Sequence, residues 1–431
     1  MTIDNDVVDA LAAELLGPHI KSAPPAAWGH TVREYLTGTP QLTHWQTPLL
    51  TLDRAALDAN RALMADWSSA GDVALAPHGK TTMAPQLWRE QLRAGAWGIT
   101  LATAWQAQLA RSFGVGRILL ANALVDPIGL AWVAEESARD ENFEFYCWAD
   151  SIATVELMDK ILRDTAPGPR VRVLVELGGT HGRTGARTRA EALAVAHALV
   201  GSERLVLAGV GGYEGALAHD RTPAALTAVR DYLRELAALH RELGELYSGP
   251  AIVSAGGSAY PELVVEELAG LASDQLPTAP GSTTVVLRSG AYLVHDDGFY
   301  AGISPLSAPA ADPGLRSAMH GWARVVSRPE PELALLDGGK RDFPFDEGLP
   351  TPQLVVGGSA LPSGAQVSAL NDQHTFLRLP GATFADLPVG SVVRLGLSHP
   401  CTAFDKWRLI PVIDSAETAH PRVVDLIRTY F

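Results

Sequence analysis

From about residue 70 the chain alternates short apolar runs with longer amphipathic ones. Eight short runs stand out, at 72–76, 97–102, 117–121, 143–147, 171–176, 205–210, 251–254 and 284–287. Each has the length of a strand and lacks the strict polar alternation of a sheet with one wet face. Between most of them apolar residues recur at three- and four-residue spacing, as over 104–113, 151–163, 189–200 and 223–243, which predicts helices. Continuous apolar strands separated by helices describe a parallel sheet covered on both faces. Eight such units over this length predict a (β/α)8 barrel, an α/β fold. A doubly wound open sheet is the alternative, because closure of a sheet leaves no mark in the sequence.

The pattern differs at both ends. Residues 1–45 read as an N-terminal extension, with helical spacing from Val7 to Leu16 that Pro24-Pro25 interrupts. Residues 47–52 read as a strand, and Asp53 as the N-cap of a helix over 54–67. Past residue 300 the helical spacing fades while Pro and Gly become frequent. Short strands are expected there at 322–326, 332–337, 366–370, 375–379 and 391–396. The expected organisation is therefore an extension at 1–45, a barrel at 46–300 and a β-rich domain at 301–431. The strand at 47–52 is one that the β domain could claim instead.

Composition narrows the function. A chain of 431 residues is too long for one ordinary core, in keeping with two domains. Its 47% hydrophobic and 19% charged residues describe a foldable globular protein. A net charge of −14 argues against nucleic acid as the main partner. No apolar run approaches the ~18 residues of a membrane span. The acidic first nine residues lack a signal-peptide pattern, so the cytoplasm is the expected compartment. Two cysteines, Cys147 and Cys401, imply no disulfide framework. Cys147 lies inside an apolar run and reads as core.

In a barrel the loops after the strands form one active face. After the first strand comes Pro77-His78-Gly79-Lys80-Thr81. A lysine at a strand end is partly desolvated. Its pKa falls, and it can form a Schiff base with an aldehyde. His78 beside it is a base, a cofactor contact or a strand-end hydrogen-bonder. The fifth loop carries Arg183 among glycines. A guanidinium facing a pyridine nitrogen cannot supply it with a proton; the alternative is a surface arginine. The seventh and eighth loops contain Gly256-Gly257-Ser258-Ala259 and Ser289-Gly290-Ala291-Tyr292. Exposed glycine N–H groups and a following helix N-terminus suit a phosphate, although glycines also simply make turns. Near the C-terminus, His399 and Cys401 are one residue apart. In an extended segment both would face one side, where imidazole and thiolate could hold zinc. Asp405 is a polar turn residue or a third ligand.

Together these motifs resemble the D-serine dehydratase and D-threonine aldolase family of fold-type III pyridoxal phosphate (PLP) enzymes, related more distantly to alanine racemase. The resemblance runs from Thr47 to Pro411. It implies an alanine racemase-type barrel with a second, mainly β C-terminal domain. It implies a Schiff-base Lys80 within Pro-His-x-Lys-Thr, Arg183 near the pyridine nitrogen, Tyr213 in the loop after strand six, and phosphate loops at Gly256–Ala259 and Gly290–Tyr292, with Gly257, Ser258 and Ala259 at the cofactor. It also implies a metal on His399 and Cys401, and a homodimer. Leu336-Asp337-Gly338-Gly339-Lys340 resembles the family's C-terminal domain. Two departures stand near the reacting groups. Thr82-Met83 replaces the usual His-Lys, and His181-Gly182 lengthens the arginine loop. The aldolase branch commonly has His-x-Asp at the metal, so Cys401 points to elimination. The expected activity is dehydration and deamination of a D-serine-like D-3-hydroxy amino acid, with Lys80 as general base and zinc or another divalent metal as Lewis acid. The rivals are retro-aldol cleavage to glycine and an aldehyde, racemisation, and a non-catalytic PLP carrier.

Overall fold

The computed structural model describes residues 2–165, 168–179, 182–274, 283–308, 310–357 and 360–431. By internal contact the chain divides into two units, and neither is one stretch of sequence. The first comprises Met64–Lys80 and Glu90–Gly290 with the segment up to Asp4; the second comprises Asn5–Leu63, Thr81–Arg89 and Ala291–Phe431.

The first unit is built on eight parallel strands: β1 (Ala74–Leu75), β2 (Ile99–Leu101), β3 (Arg117–Ala123), β4 (Glu144–Ala149), β5 (Val171–Leu177), β6 (Leu205–Gly212), β7 (Ile252–Ala255) and β8 (Thr284–Leu287). The hydrogen-bonded order is β1-β8-β7-β6-β5-β4-β3-β2. The two ends of this path meet. The Trp97 N–H donates to Leu75 O at 2.7 Å and the Thr100 N–H to Pro77 O at 2.9 Å. A parallel bridge also joins His78 to Thr100. The sheet therefore closes on itself, and the open doubly wound alternative is excluded.

Helices follow the strands where the spacing predicts them, at Ala104–Ser112, Ile152–Thr165, Arg189–Gly201 and Pro223–Glu242. Thr103, Thr188 and Thr222 each accept a hydrogen bond from the backbone N–H three residues on, and so start three of these helices at the strand exits. Inside the barrel, Ala76, Leu119, Tyr146, Trp148, Leu174, Ala208, Ile252 and Val286 form one buried cluster. Two aromatic side chains on β4 are accommodated by small residues on β1 and β6. Such alternation fills a barrel interior without a void.

The second unit is a nine-stranded sheet. The long strand Met319–Glu330 pairs with Leu49–Asp53, Leu333–Leu336 and Val392–Gly396, all antiparallel. The strand near residue 50 thus belongs to the β unit. Asp53 caps the next helix through the Ala56 N–H at 3.0 Å and takes the Ala416 N–H on its other oxygen at 2.7 Å. Strands Thr351–Val355, Leu409–Ile413 and Val423–Arg428 had no strand expectation; two of them contain a proline, which weakened the pattern. The expected N-terminal helix is a short one, Asn5–Asp9, running into a 3-10 turn, Ala10–Ala13. Lys21 fastens this segment within the unit, pairing with Asp342 at 2.8 Å and lying 4.2 Å from the centre of the Trp407 ring.

Candidate active site

At the exit of β1 the chain makes a 3-10 turn, Gly79–Thr81, which carries a half-buried Lys80. His78 lies against Gly290: a Cβ on that glycine would meet the His78 carbonyl oxygen at 2.7 Å, so no larger residue fits. The Nδ1 atom of His78 is buried and has no hydrogen-bond partner among the described residues. Burial pushes its pKa well below the ordinary value, and the positive charges of Lys80, Arg288 and Arg183 push it the same way. His78 is therefore neutral at neutral pH and does not act there as a general acid.

Arg183 lies 4.6 Å over the Tyr213 ring, which brings two of the residues expected at the cofactor into contact. The loop is held by Arg187, which donates to the carbonyls of Gly179 at 3.0 Å, Gly182 at 3.2 Å and Arg183 at 2.5 Å. His181, part of the expected insertion, lies outside the described residues. The Tyr213 ring in turn sits against Gly257, where a Cβ would meet it at 2.9 Å. Ser289, from the eighth loop, donates to Gly257 O at 2.5 Å. His78, Gly290, Gly257, Tyr213 and Arg183 thus form one continuous group in the first unit. Ser258 and Ala259 follow Gly257 in the same loop. Ala291 and Tyr292 are buried in the 3-10 turn Ala291–Leu293 that begins the last segment of the second unit.

The expected phosphate loop is tied to an acidic side chain. The N–H groups of Gly256 and Gly257 donate to the two carboxylate oxygens of Glu214, at 2.8 and 2.7 Å. Gly257 is thus already capped by the protein's own anion. Ser258 and Ala259 follow in the same loop, ahead of the helix Pro261–Leu268.

The sequence reading also passed over three charged side chains. Glu214 is fully buried. Arg288 is buried at the end of β8, donating to Ser254 Oγ at 2.7 Å and Gly212 O at 2.5 Å, with the Trp148 ring 4.9 Å away. Glu176, near the end of β5, takes the Thr184 hydroxyl at 2.6 Å on one oxygen. Burial raises its carboxyl pKa, partly offset by that hydrogen bond. The available signal was a charged residue closing an apolar strand.

In the second unit His399 and Cys401 meet, but not for the reason of spacing. The segment is not extended. His399 has a φ of +54° and caps the short helix Pro400–Phe404. The turn brings the thiol into hydrogen-bond contact with the imidazole. That contact, followed by Asp346, raises the His399 pKa to about 9 despite partial burial. Asp346 Oδ2 lies 2.5 Å from His399 Nδ1. Cys401 Sγ is 3.6 Å from the hydroxyl of Thr81, the residue after Lys80 in the chain. Asp405 ends the helix and pairs with Lys406 at 3.4 Å, as a turn residue would. No group of three or more His, Cys, Asp or Glu side chains is arranged to hold a metal among the described residues.

These donors fit the groups they were expected to hold. His78 Nδ1, Trp148 Nε1 and Glu176 Oε2 are buried without partners in the first unit. Such atoms call for a polar occupant. Gly257 and Gly290 mark where side chains and backbone approach too closely for a Cβ. A planar, anionic cofactor suits both observations. An imidazole whose Nδ1 is engaged by a carboxylate, beside a thiol, is a donor pair suited to zinc.

Fold and site define a class, the alanine racemase-type barrel with a mainly β second unit. Alanine racemase from Bacillus anthracis aligns at a TM-score of 0.56 and 16% identity, covering 89% of this chain and 98% of that one. D-threonine aldolase from Filomicrobium marinum aligns at a TM-score of 0.74 and 22% identity, covering 91% and 97%. A cysteine-to-alanine mutant of D-threo-3-hydroxyaspartate dehydratase in the metal-free form aligns at a TM-score of 0.69 and 22% identity, covering 90% and 99%. In sequence, D-threonine aldolase from an Arthrobacter species is 29% identical over 84% of this chain and 88% of its own length. D-threo-3-hydroxyaspartate dehydratase from a Delftia species is 25% identical over 86% and 96%. Residues 318–413 match the family model "Putative serine dehydratase domain". In sequence the chain is thus similar to D-threonine aldolases and D-3-hydroxyaspartate dehydratases, which are lyases, and its C-terminal part matches the serine dehydratase domain. No helix among the described residues is long and apolar enough to cross a membrane.

Proposed function

We propose that the protein is a PLP- and metal-dependent lyase that dehydrates and deaminates a D-3-hydroxy amino acid, releasing a 2-oxo acid and ammonia. The observation that carries this reading is the pair His399 and Cys401, in contact and braced by Asp346. A thiol there resembles the dehydratase branch of the family. When bound, PLP would supply an electron sink for charge developing at Cα, and a divalent metal would supply a Lewis acid for the β-hydroxyl. Lys80 would hold the cofactor, and its Nζ would be the base for the Cα proton. Arg183 and Tyr213, stacked on each other, would line the cofactor. Because a guanidinium cannot supply a proton, Arg183 would leave a ring nitrogen that faced it unprotonated. Neutral His78 would position the ring and would give up no proton. Ser258, Ala259 and Gly290 would bind the phosphate in the first unit, with Glu214 holding the loop that carries the first two; Ala291 and Tyr292, next in the chain after Gly290, are the further candidates.

We place the enzyme in the cytoplasm as a homodimer acting on a small amino acid. Two cysteines without a disulfide support that compartment. One observation favours retro-aldol cleavage instead: the 29% identity to a D-threonine aldolase exceeds the 25% to the dehydratase. Product analysis decides. The enzyme is incubated with D-serine, D-threonine and D-3-hydroxyaspartate, and ammonia, 2-oxo acid, glycine and aldehyde are quantified. One ammonia and one 2-oxo acid per substrate supports elimination. Glycine and acetaldehyde from D-threonine would make the protein an aldolase.

A further inference from the structure

His399 is held by two carboxylates from distant parts of the second unit. Asp296 Oδ2 accepts the His399 backbone N–H at 3.2 Å. Its Oδ1 accepts the N–H groups of Gly298 at 3.0 Å, Tyr300 at 2.9 Å and Ala301 at 3.2 Å. Asp296 thereby anchors the left-handed backbone of His399 to a neighbouring helical turn. Asp346 acts on the ring. Its Oδ2 is 2.5 Å from His399 Nδ1, and its Oδ1 accepts the Thr402 hydroxyl at 2.6 Å. Thr402 stands next to Cys401 on the helix Pro400–Phe404. One carboxylate therefore ties the ring of one candidate ligand to the helix that bears the other.

We infer that Asp346 is a positioning residue for the metal: it orients the His399 ring, fixes which nitrogen is the ligand and sets its distance from Cys401. A neutral imidazole has one N–H and one lone pair. A carboxylate on Nδ1 keeps the proton there and leaves the Nε2 lone pair for the metal. It also makes that nitrogen a stronger donor. Asp405, on the same stretch of chain, faces Lys406 and has no such part. The inference rests on His399 and Cys401 being the metal ligands.

The test is zinc affinity of the full-length protein, stripped with chelator and titrated against a chromophoric competitor. Asp346→Asn, Thr402→Val and Asp405→Asn are compared with the parent. Asp346 is partly exposed, so Asp346→Asn should fold normally, which circular dichroism checks. Loss of such a carboxylate typically weakens metal binding about 10- to 100-fold. That loss is expected for Asp346→Asn, with a smaller one for Thr402→Val and none for Asp405→Asn. Cobalt substitution gives a second readout. The thiolate-to-cobalt absorption should persist in Asp346→Asn at saturating metal, while the visible ligand-field bands shift. A merely structural Asp346 would leave zinc affinity and cobalt bands unchanged in the folded protein, and that result overturns the inference. A parent protein that binds no zinc would remove the metal reading itself, and the inference with it.

Discussion

Lys80 and Lys340 both follow glycine, yet their surroundings separate them. Lys80 is half-buried at a barrel strand exit, while Lys340 is exposed, 5.5 Å from the centre of the Phe345 ring. Borohydride reduction of the holoenzyme should therefore fix the cofactor to Lys80, as peptide mapping would show. A label on Lys340 would refute the assignment. Replacing Cys401 by Ala should abolish metal binding and turnover but leave the cofactor absorbance intact. Full activity in metal-free protein would count against that role. The candidate residues stood out in the sequence because each is unusual for its local context: a lysine closing an apolar strand, a histidine and cysteine flanking a proline. The bracing residues were not. Asp346 and Asp296 look like ordinary turn acids until the chain brings them to His399, 53 and 103 residues away.

Among the elements, the loop after β7 depends most on a distant partner. Its two leading N–H groups end on the carboxylate of Glu214, from the loop after β6. Removing that carboxylate leaves two inward donors unsatisfied. Glu214→Ala should cost about 2–5 kcal/mol, read as a lower urea midpoint, and should loosen cofactor retention. Glu214→Gln keeps one acceptor oxygen and should fall between. Unchanged stability in Glu214→Ala would mean that the loop finds other acceptors. The glycines of this loop were read in the sequence as a candidate phosphate cradle. Which of their N–H groups remain for a phosphate was not, because an acid in a glycine-rich loop reads as solvated.

For the whole molecule, histidines with lowered pKa values shape the response to acid, and besides His78 there are three, all buried. His240, His295 and His320 each have a pKa lowered to about 4, with burial as the leading cause. Their unfolded pKa is near the ordinary value of about 6.5. Between those limits the unfolded chain binds more protons than the folded one, so stability rises with pH. Their contribution is fully present above about pH 6.5 and is lost as the pH falls toward 4. Asp296, Asp297 and Glu176 have raised pKa values and oppose this trend at its acid end. Denaturation midpoints should fall from pH 7 to pH 5. His240 donates or accepts at both ring nitrogens, to Tyr247 at 3.0 Å and Thr283 at 2.9 Å, and His240→Gln should flatten the slope. A flat profile in the parent would show that these rings are solvated.

The sequence by itself determined the eight βα units, the β-rich C-terminal texture and the residues that could carry chemistry. Backbone periodicity is local, and so is the contrast between an apolar strand and the lysine or glycine that ends it. Tertiary structure decided everything that depends on distant parts of the chain meeting. It closed the sheet through β1 and β2 and gave strand Leu49–Asp53 to the β unit. It set the Arg183 guanidinium over Tyr213, and it brought His399 and Cys401 together through a left-handed turn where an extended strand was expected. Hydrogen bonds and charges act over a few ångströms in space, and residues hundreds of positions apart acquire them only once the chain has folded.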